Sequence, residues 1–217
     1  MDFAAARAAM VDSQVRPNDV TKYSIIDALQ RIKREDFVPD HLRTVAYSDM
    51  PLRIAEGREL LDPRVFSKLL DALNIKPTEF VLDIGCGLGY SSAVISCLAE
   101  GVVGVEEDPT LANYANDNLT AAEIDNAFVV EGAFATGVAK HGPYDVMIVE
   151  GGIEDFPAKL ADQLKTGGRI GLIKIENGTG SAQVGIKTET GISWRDEFDA
   201  EALVLNGFEK VEGFTFG

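Results

Sequence analysis

A chain of 217 residues, 46% of them hydrophobic, has room for one α/β domain with appended elements. Its formal net charge of −15 argues against a duplex nucleic acid or an anionic membrane surface as partner, since both need a basic face. Two cysteines, Cys86 and Cys97, show no metal-ligand spacing and are too few for a disulfide framework, and the N-terminal stretch MDFAAARAAMVDSQVR lacks an apolar signal core, so the cytoplasm is the expected location.

Residues 3–15, with Met10, Val11 and Val15, predict a short helix ended by Arg16-Pro17-Asn18. Asp19 is the expected cap of a second helix whose apolar side is Tyr23, Ile25, Ile26, Leu29 and Ile32. Residues 40–60 read as an irregular loop over the mouth of the site. Asp62-Pro63 is a cap followed by a first-turn proline, and Val65, Phe66, Leu69, Leu70 and Leu73 supply a helical stripe that ends before Pro77.

From Phe80 onward strand and helix patterns alternate, which predicts a mostly parallel sheet. Strands are expected at 80–84, 102–106, 127–131, 145–149 and 169–175, and helices at 90–99, 109–121 and 155–164. Gln183–Thr188 and Ile192–Phe198 read as a hairpin around Glu189-Thr190-Gly191, and 207–216 as a last strand or an apolar tail. The expected fold is therefore Rossmann-like α/β with a C-terminal antiparallel hairpin and an N-terminal helical extension. One domain, 1–217, is expected, with an acceptor and lid region at 1–77 and an α/β core at 78–217.

The most informative stretch is VLDIGCGLGYSS, residues 81–92. A buried strand runs into a turn with Gly85, Gly87 and Gly89, and a helix follows. Glycines admit close backbone approach, and a helix N-terminus offers free N–H groups. The third glycine of a dinucleotide fingerprint would fall on Tyr90, and Asp83 adds an acid beside the turn, so a ligand with an ammonium group and no pyrophosphate fits better. S-adenosylmethionine (SAM) is such a ligand. Glu106, closing the next strand, is placed to accept from its ribose hydroxyls.

Read together, MVDSQVRPNDV, AYSDMPLRIAEG, VLDIGCGLGY, NAFVVEGAFATG, PYDVMIVEGG and LADQLKTGGRIGLI resemble, in order, the motifs of the protein-L-isoaspartate O-methyltransferase family. The resemblance implies a class I SAM-dependent methyltransferase whose acceptor is the free carboxylate of isoaspartyl residues in damaged proteins. Two departures stand out. Leu61 occupies the place of a serine taken to help catalysis, with Arg64 in place of a histidine three residues past it. Ala133, after Gly132, replaces an acid that accepts from the adenine amino group. Leu61 keeps two other readings open: a small-molecule or other protein acceptor, or a SAM-binding module without transfer.

The expected cofactor residues are Asp83, Gly85, Cys86, Gly87, Tyr90, Glu106, Gly132, Ala133, Phe134 and Glu150. Asp83 would orient the amino group, the turn would line the methionine end, and Phe134 would pack on the adenine. Glu150, at the end of the fourth strand, would face the sulfonium or serve as base for a hydroxyl or amine acceptor. Arg53, Arg58 and Arg64 are the expected holders of an anionic acceptor. No catalytic residue is assigned, because a carboxylate acceptor is already ionised at neutral pH and needs no general base.

Overall fold

The computed structural model describes residues 1–210. Asp2 caps α1 (Phe3–Met10), which continues as a π turn at Val11–Val15 and a 3₁₀ turn at Arg16–Asn18. Asp19 does not cap the next helix. It closes the preceding turn in left-handed backbone (φ 66°), and α2 (Tyr23–Arg31) is entered from Lys22 without a side-chain cap. One residue cannot hold both the left-handed geometry of a C-terminal stop and the extended geometry of an N-cap.

The expected irregular loop at 40–60 is instead ordered. A 3₁₀ turn at Asp40–Val45 leads to an antiparallel hairpin of β1 (Leu52–Ala55) and β2 (Arg58–Leu60), turned by Gly57 at φ 66°. Leu52, Ile54, Arg58 and Leu60 face inward, an alternation too short to stand out beside Pro51 and Gly57. Helix α3 (Pro63–Leu73) begins as its sequence predicts, with Asp62 Oδ1 accepting from the Val65 amide at 2.9 Å.

Seven strands form the central sheet: β3 (Phe80–Ile84), β4 (Gly101–Glu106), β5 (Ala127–Glu131), β6 (Tyr144–Ile153), β7 (Leu164–Glu176), β8 (Thr179–Lys187) and β9 (Ile192–Asp199). Their spatial order is β5-β4-β3-β6-β7-β8-β9. The first five are parallel, and β7, β8 and β9 pair antiparallel. Helix α4 (Tyr90–Ser96) follows β3, and α5 (Pro109–Ala121), capped by Asp108, follows β4. The helix expected over 155–164 is the single turn α6 (Ala158–Ala161), because β7 starts early, with Leu164 paired to Tyr144 ahead of a register shift.

Period-two alternation splits the core in two. Val81, Val102, Val146 and Ile148 face the N-terminal helices, α3 and α4, whereas Leu82, Ile84, Val103, Val105, Met147 and Val149 face Phe134, Leu160 and Phe208. A segment after β9 crosses the end of β6: Gly152 donates to Leu203 O at 2.7 Å, Leu205 donates to Gly152 O at 2.9 Å, and Phe208 O accepts from Glu154 and Asp155. The tail expected at 207–216 lies largely outside the described residues. Among the described residues no helix is long and apolar enough to cross a membrane.

Candidate active site

Three adjacent strands each bring one acid to the same face of the sheet. Asp83 pairs in register with Gly104 on β4 and Ile148 on β6, and Glu106 and Glu150 lie two residues further along those strands. All three carboxylates are buried. Asp83 Oδ2 accepts from Ser91 Oγ and Ser92 Oγ, each at 2.6 Å, while its Oδ1 has no partner among the described residues. Burial pushes the Asp83 carboxyl up to about 6, against the two seryl hydrogen bonds that pull it down. Glu150 is pushed well above the usual carboxylate range, chiefly by burial and then by the charge of Asp83, and its Oε1 is also unpartnered. Each of these buried acids thus keeps one oxygen able to accept from a donor or a cation.

Glu106 is different, because its oxygens are fully engaged. Oε2 accepts from the Gly87 amide at 2.8 Å and from Arg58 Nη2 at 3.1 Å; Oε1 accepts from the amides of Glu107 at 3.0 Å and Asp108 at 3.4 Å. Arg58 also donates to Gly85 O, and its guanidinium lies 5.0 Å over the Phe134 ring. The β1–β2 hairpin thus reaches into the groove at the strand ends. That groove is a cavity of about 560 Å³ lined by Arg58, Phe134 and the acids Glu56, Glu106, Glu107, Asp108 and Glu209.

The glycine turn supplies the floor. Gly85 and Gly87 hold left-handed backbone (φ 80° and 56°), and a Cβ on Gly87 would lie 2.5 Å from Ile54 Cδ1. Cys86 is buried and its Sγ sits 3.9 Å from Val105 O; burial raises its thiol well above the ordinary value, so it is an inert thiol here. Tyr90 opens α4 with its ring packed against Phe37 and Phe66 and the Arg34 guanidinium 4.8 Å over it, which leaves its backbone as the part nearest the turn. The Gly132 amide donates to Glu106 O at 3.0 Å, Ala133 is exposed, and Phe134 is buried beneath Arg58.

The three arginines expected to act together do not converge. Arg58 is in the groove, Arg53 is exposed on β1, and Arg64 donates to Asp199 O at 3.1 Å and lies 5.7 Å over the Phe198 ring. Leu61 is buried, and its carbonyl accepts from Arg34 Nη2 at 2.7 Å. Sequence reasoning missed Ser91, Ser92, Arg34 and Leu205. The two serines were detectable as hydroxyls in the first helical turn after the glycines, whereas Leu205, which approaches Gly85 and Gly151, carries no local signal.

A strand, a glycine turn, paired acids on neighbouring strand ends and an acid-lined groove define a site class, and comparison with known proteins specifies it. The family described as Protein-L-isoaspartate(D-aspartate) O-methyltransferase (PCMT) matches residues 5–196. The chain belongs to that family. Protein-L-isoaspartate O-methyltransferase 2 of Marinobacter nauticus is 37% identical over 169 residues, covering 78% of this chain and 77% of that one. The Protein-L-isoaspartate O-methyltransferase of a Picosynechococcus species is 32% identical over 213 residues, covering 98% and 93%. A solved protein-L-isoaspartate O-methyltransferase structure superposes with a TM-score of 0.82 at 24% identity, over 93% of this chain and 66% of that one. A Plasmodium falciparum structure in complex with S-adenosyl-L-homocysteine (SAH) gives 0.78 at 18% identity, over 94% and 98%. At those identities the superpositions speak for the fold, a Rossmann-like methyltransferase architecture. The protein is a SAM-dependent methyltransferase of the protein-L-isoaspartate O-methyltransferase family.

The residues at the strand ends suit that cofactor. SAM carries an ammonium and a sulfonium against one carboxylate, and Asp83 and Glu150, on the same sheet face as Glu106, each keep an oxygen without a partner among the described residues. A pyrophosphate would meet a wall of carboxylates, with Arg58 the one cation among the described lining residues.

Proposed function

We propose that the protein methylates the free carboxylate of L-isoaspartyl residues in damaged proteins or peptides, with SAM held across the ends of β4, β3 and β6. The family membership carries this reading, and the acid trio supports it. In this assignment Asp83 takes the ammonium, Glu106 the ribose hydroxyls, Glu150 the sulfonium side, and Phe134 the adenine. Gly85, Cys86, Gly87 and Tyr90 line the methionine end through their backbone, and Gly132 and Ala133 border the adenine.

Bound SAM supplies a methyl group already activated on sulfur, for in-line displacement. The chain has to align an acceptor oxygen and exclude water. No hydroxyl at position 61 is needed to remove a proton from an acceptor that carries none, so Leu61 is compatible with carboxylate methylation. Arg58, carried into the groove by the hairpin, is the arginine placed to hold an anionic acceptor; Arg53 and Arg64 would act from the outer surface. Residues 1–77 are the acceptor side and 78–217 the cofactor core of one domain. Two free cysteines, one of them buried, suit a reducing cytoplasm. The acidic chain suits protein acceptors over nucleic acid.

Labelled SAM tests the reading. An isoaspartyl peptide should acquire a base-labile methyl ester and its aspartyl twin should not. Binding of SAM without transfer to the isoaspartyl peptide would contradict it.

A further inference from the structure

Glu106 has no acceptor position to spare. A carboxylate accepts about four hydrogen bonds, and Glu106 receives four. Three come from the main-chain amides of Gly87, Glu107 and Asp108, fixed by the glycine turn and the strand end. The fourth comes from Arg58, the one donor that can leave. A ribose hydroxyl can therefore reach Glu106 only in place of Arg58.

We propose that Arg58 is an internal stand-in for the cofactor, occupying on Glu106, Gly85 O and Phe134 the place that the adenosyl group takes, so that SAM binding expels the guanidinium and frees it for the acceptor carboxylate. The inference rests on the groove being the SAM site. Arg58 is buried, yet its Nε and Nη1 have no partner among the described residues. Both nitrogens are unused where the side chain sits, and release of Nη2 from Glu106 and Gly85 O would free the whole guanidinium to fork a carboxylate. Its carrier is short: β1 and β2 are four and three residues long and, among the described strands, pair only with each other. The exchange with SAM also conserves net charge near the acids, since a guanidinium leaves as a sulfonium and an ammonium arrive together with one carboxylate.

The test is calorimetric titration of SAH and SAM into wild type, R58K and R58M, with thermal melts to establish that each variant is folded. Folded R58M should bind SAH about tenfold more tightly than wild type, because an occupant present nine-tenths of the time raises the apparent Kd by that factor. R58K should fall between, and R58M should show a higher KM for an isoaspartyl peptide. A purely structural Arg58 would not shift cofactor and acceptor in opposite directions. If wild type binds SAH and R58M binds it equally or more weakly, the proposal is overturned while the site assignment survives. If neither binds, both fall. A readout without a folding risk uses wild type labelled with ¹⁵N-arginine: the slow-rotating Nη signal of a bound Arg58 should collapse to a solvent-like one at saturating SAH. Its persistence in the saturated complex would also overturn the proposal.

Discussion

The main-chain N–H of Gly87 donates to Oε2 of Glu106 at 2.8 Å, tying the turn after β3 to the acid that ends β4. Together with the Gly85 amide, which donates to Val105 O at 2.9 Å, this bond couples the turn to the acid expected to meet the ribose. Because that donor belongs to the backbone, conformation at residue 87 decides whether it points at the acid.

Replacing Gly87 with alanine should therefore damage both stability and binding. A side chain in left-handed backbone costs about 1–2 kcal/mol. The new Cβ would lie 2.5 Å from Ile54 Cδ1, and the β1–β2 hairpin must shift to make room. We expect G87A to melt about 5 °C lower in a thermal scan and to bind SAM roughly tenfold more weakly. Unaltered affinity would show that the turn does not position Glu106 for the cofactor.

Cofactor binding should weaken in mild acid. The Asp83 carboxyl is raised to about 6 from an ordinary 3.8, so the ionised form is disfavoured in the folded protein. Its contribution to stability is fully present below the ordinary value and is lost as pH rises through about 6. A cation needs the ionised form, so SAM affinity should fall as pH drops below about 6, and binding near that pH should release protons to the buffer. Calorimetry in buffers of different ionisation enthalpy measures that release, and D83N should abolish it.

Gly104 makes room for the group that holds Asp83. A Cβ there would sit 2.9 Å from Val129 Cγ2, 3.0 Å from Cys86 Sγ and 3.0 Å from Ser92 Oγ. Overpacking of this kind costs about 1–3 kcal/mol, and pushing Ser92 away removes one of the two bonds that favour ionised Asp83. G104A should be less stable in urea and should shift the acid limb of SAM binding to higher pH. An unmoved limb would mean that Ser92 does not tune Asp83.

Restoring a serine at position 61 should not raise activity. Leu61 is buried and its carbonyl is fixed by Arg34, so L61S exchanges packed apolar surface for a hydroxyl. We expect a loss of about 2–4 kcal/mol in urea unfolding and no increase in kcat with an isoaspartyl peptide. A rise in kcat would show that the hydroxyl reaches the acceptor.

What was legible in the sequence was whatever local pattern controls. The alternation of strands with helices, the cap Asp62, and the position of Asp83 beside its glycines follow from spacing and turn chemistry, and the structure reproduces them. What was not legible depends on contacts between distant segments. Asp19 carries the residue type of a cap but is used to stop a turn. Arg58 carries the residue type of an anion holder, and only the hairpin's fold buries it on Glu106, 48 residues away. Arg64, so close in sequence, is drawn instead to Phe198 and Asp199 on β9. Leu205 reaches Gly85 because main-chain bonds to Gly152 lace its segment over β6.

The central claim is that buried acids on neighbouring strands hold one cationic adenosyl ligand. Titration of SAM into wild type, D83N and E106Q, each checked for folding, tests it most directly. The account predicts saturable one-to-one binding to wild type and a loss of at least tenfold in each variant, about 1.4 kcal/mol or more. Saturable binding of equal strength in all three, or no heat with wild type, would contradict it.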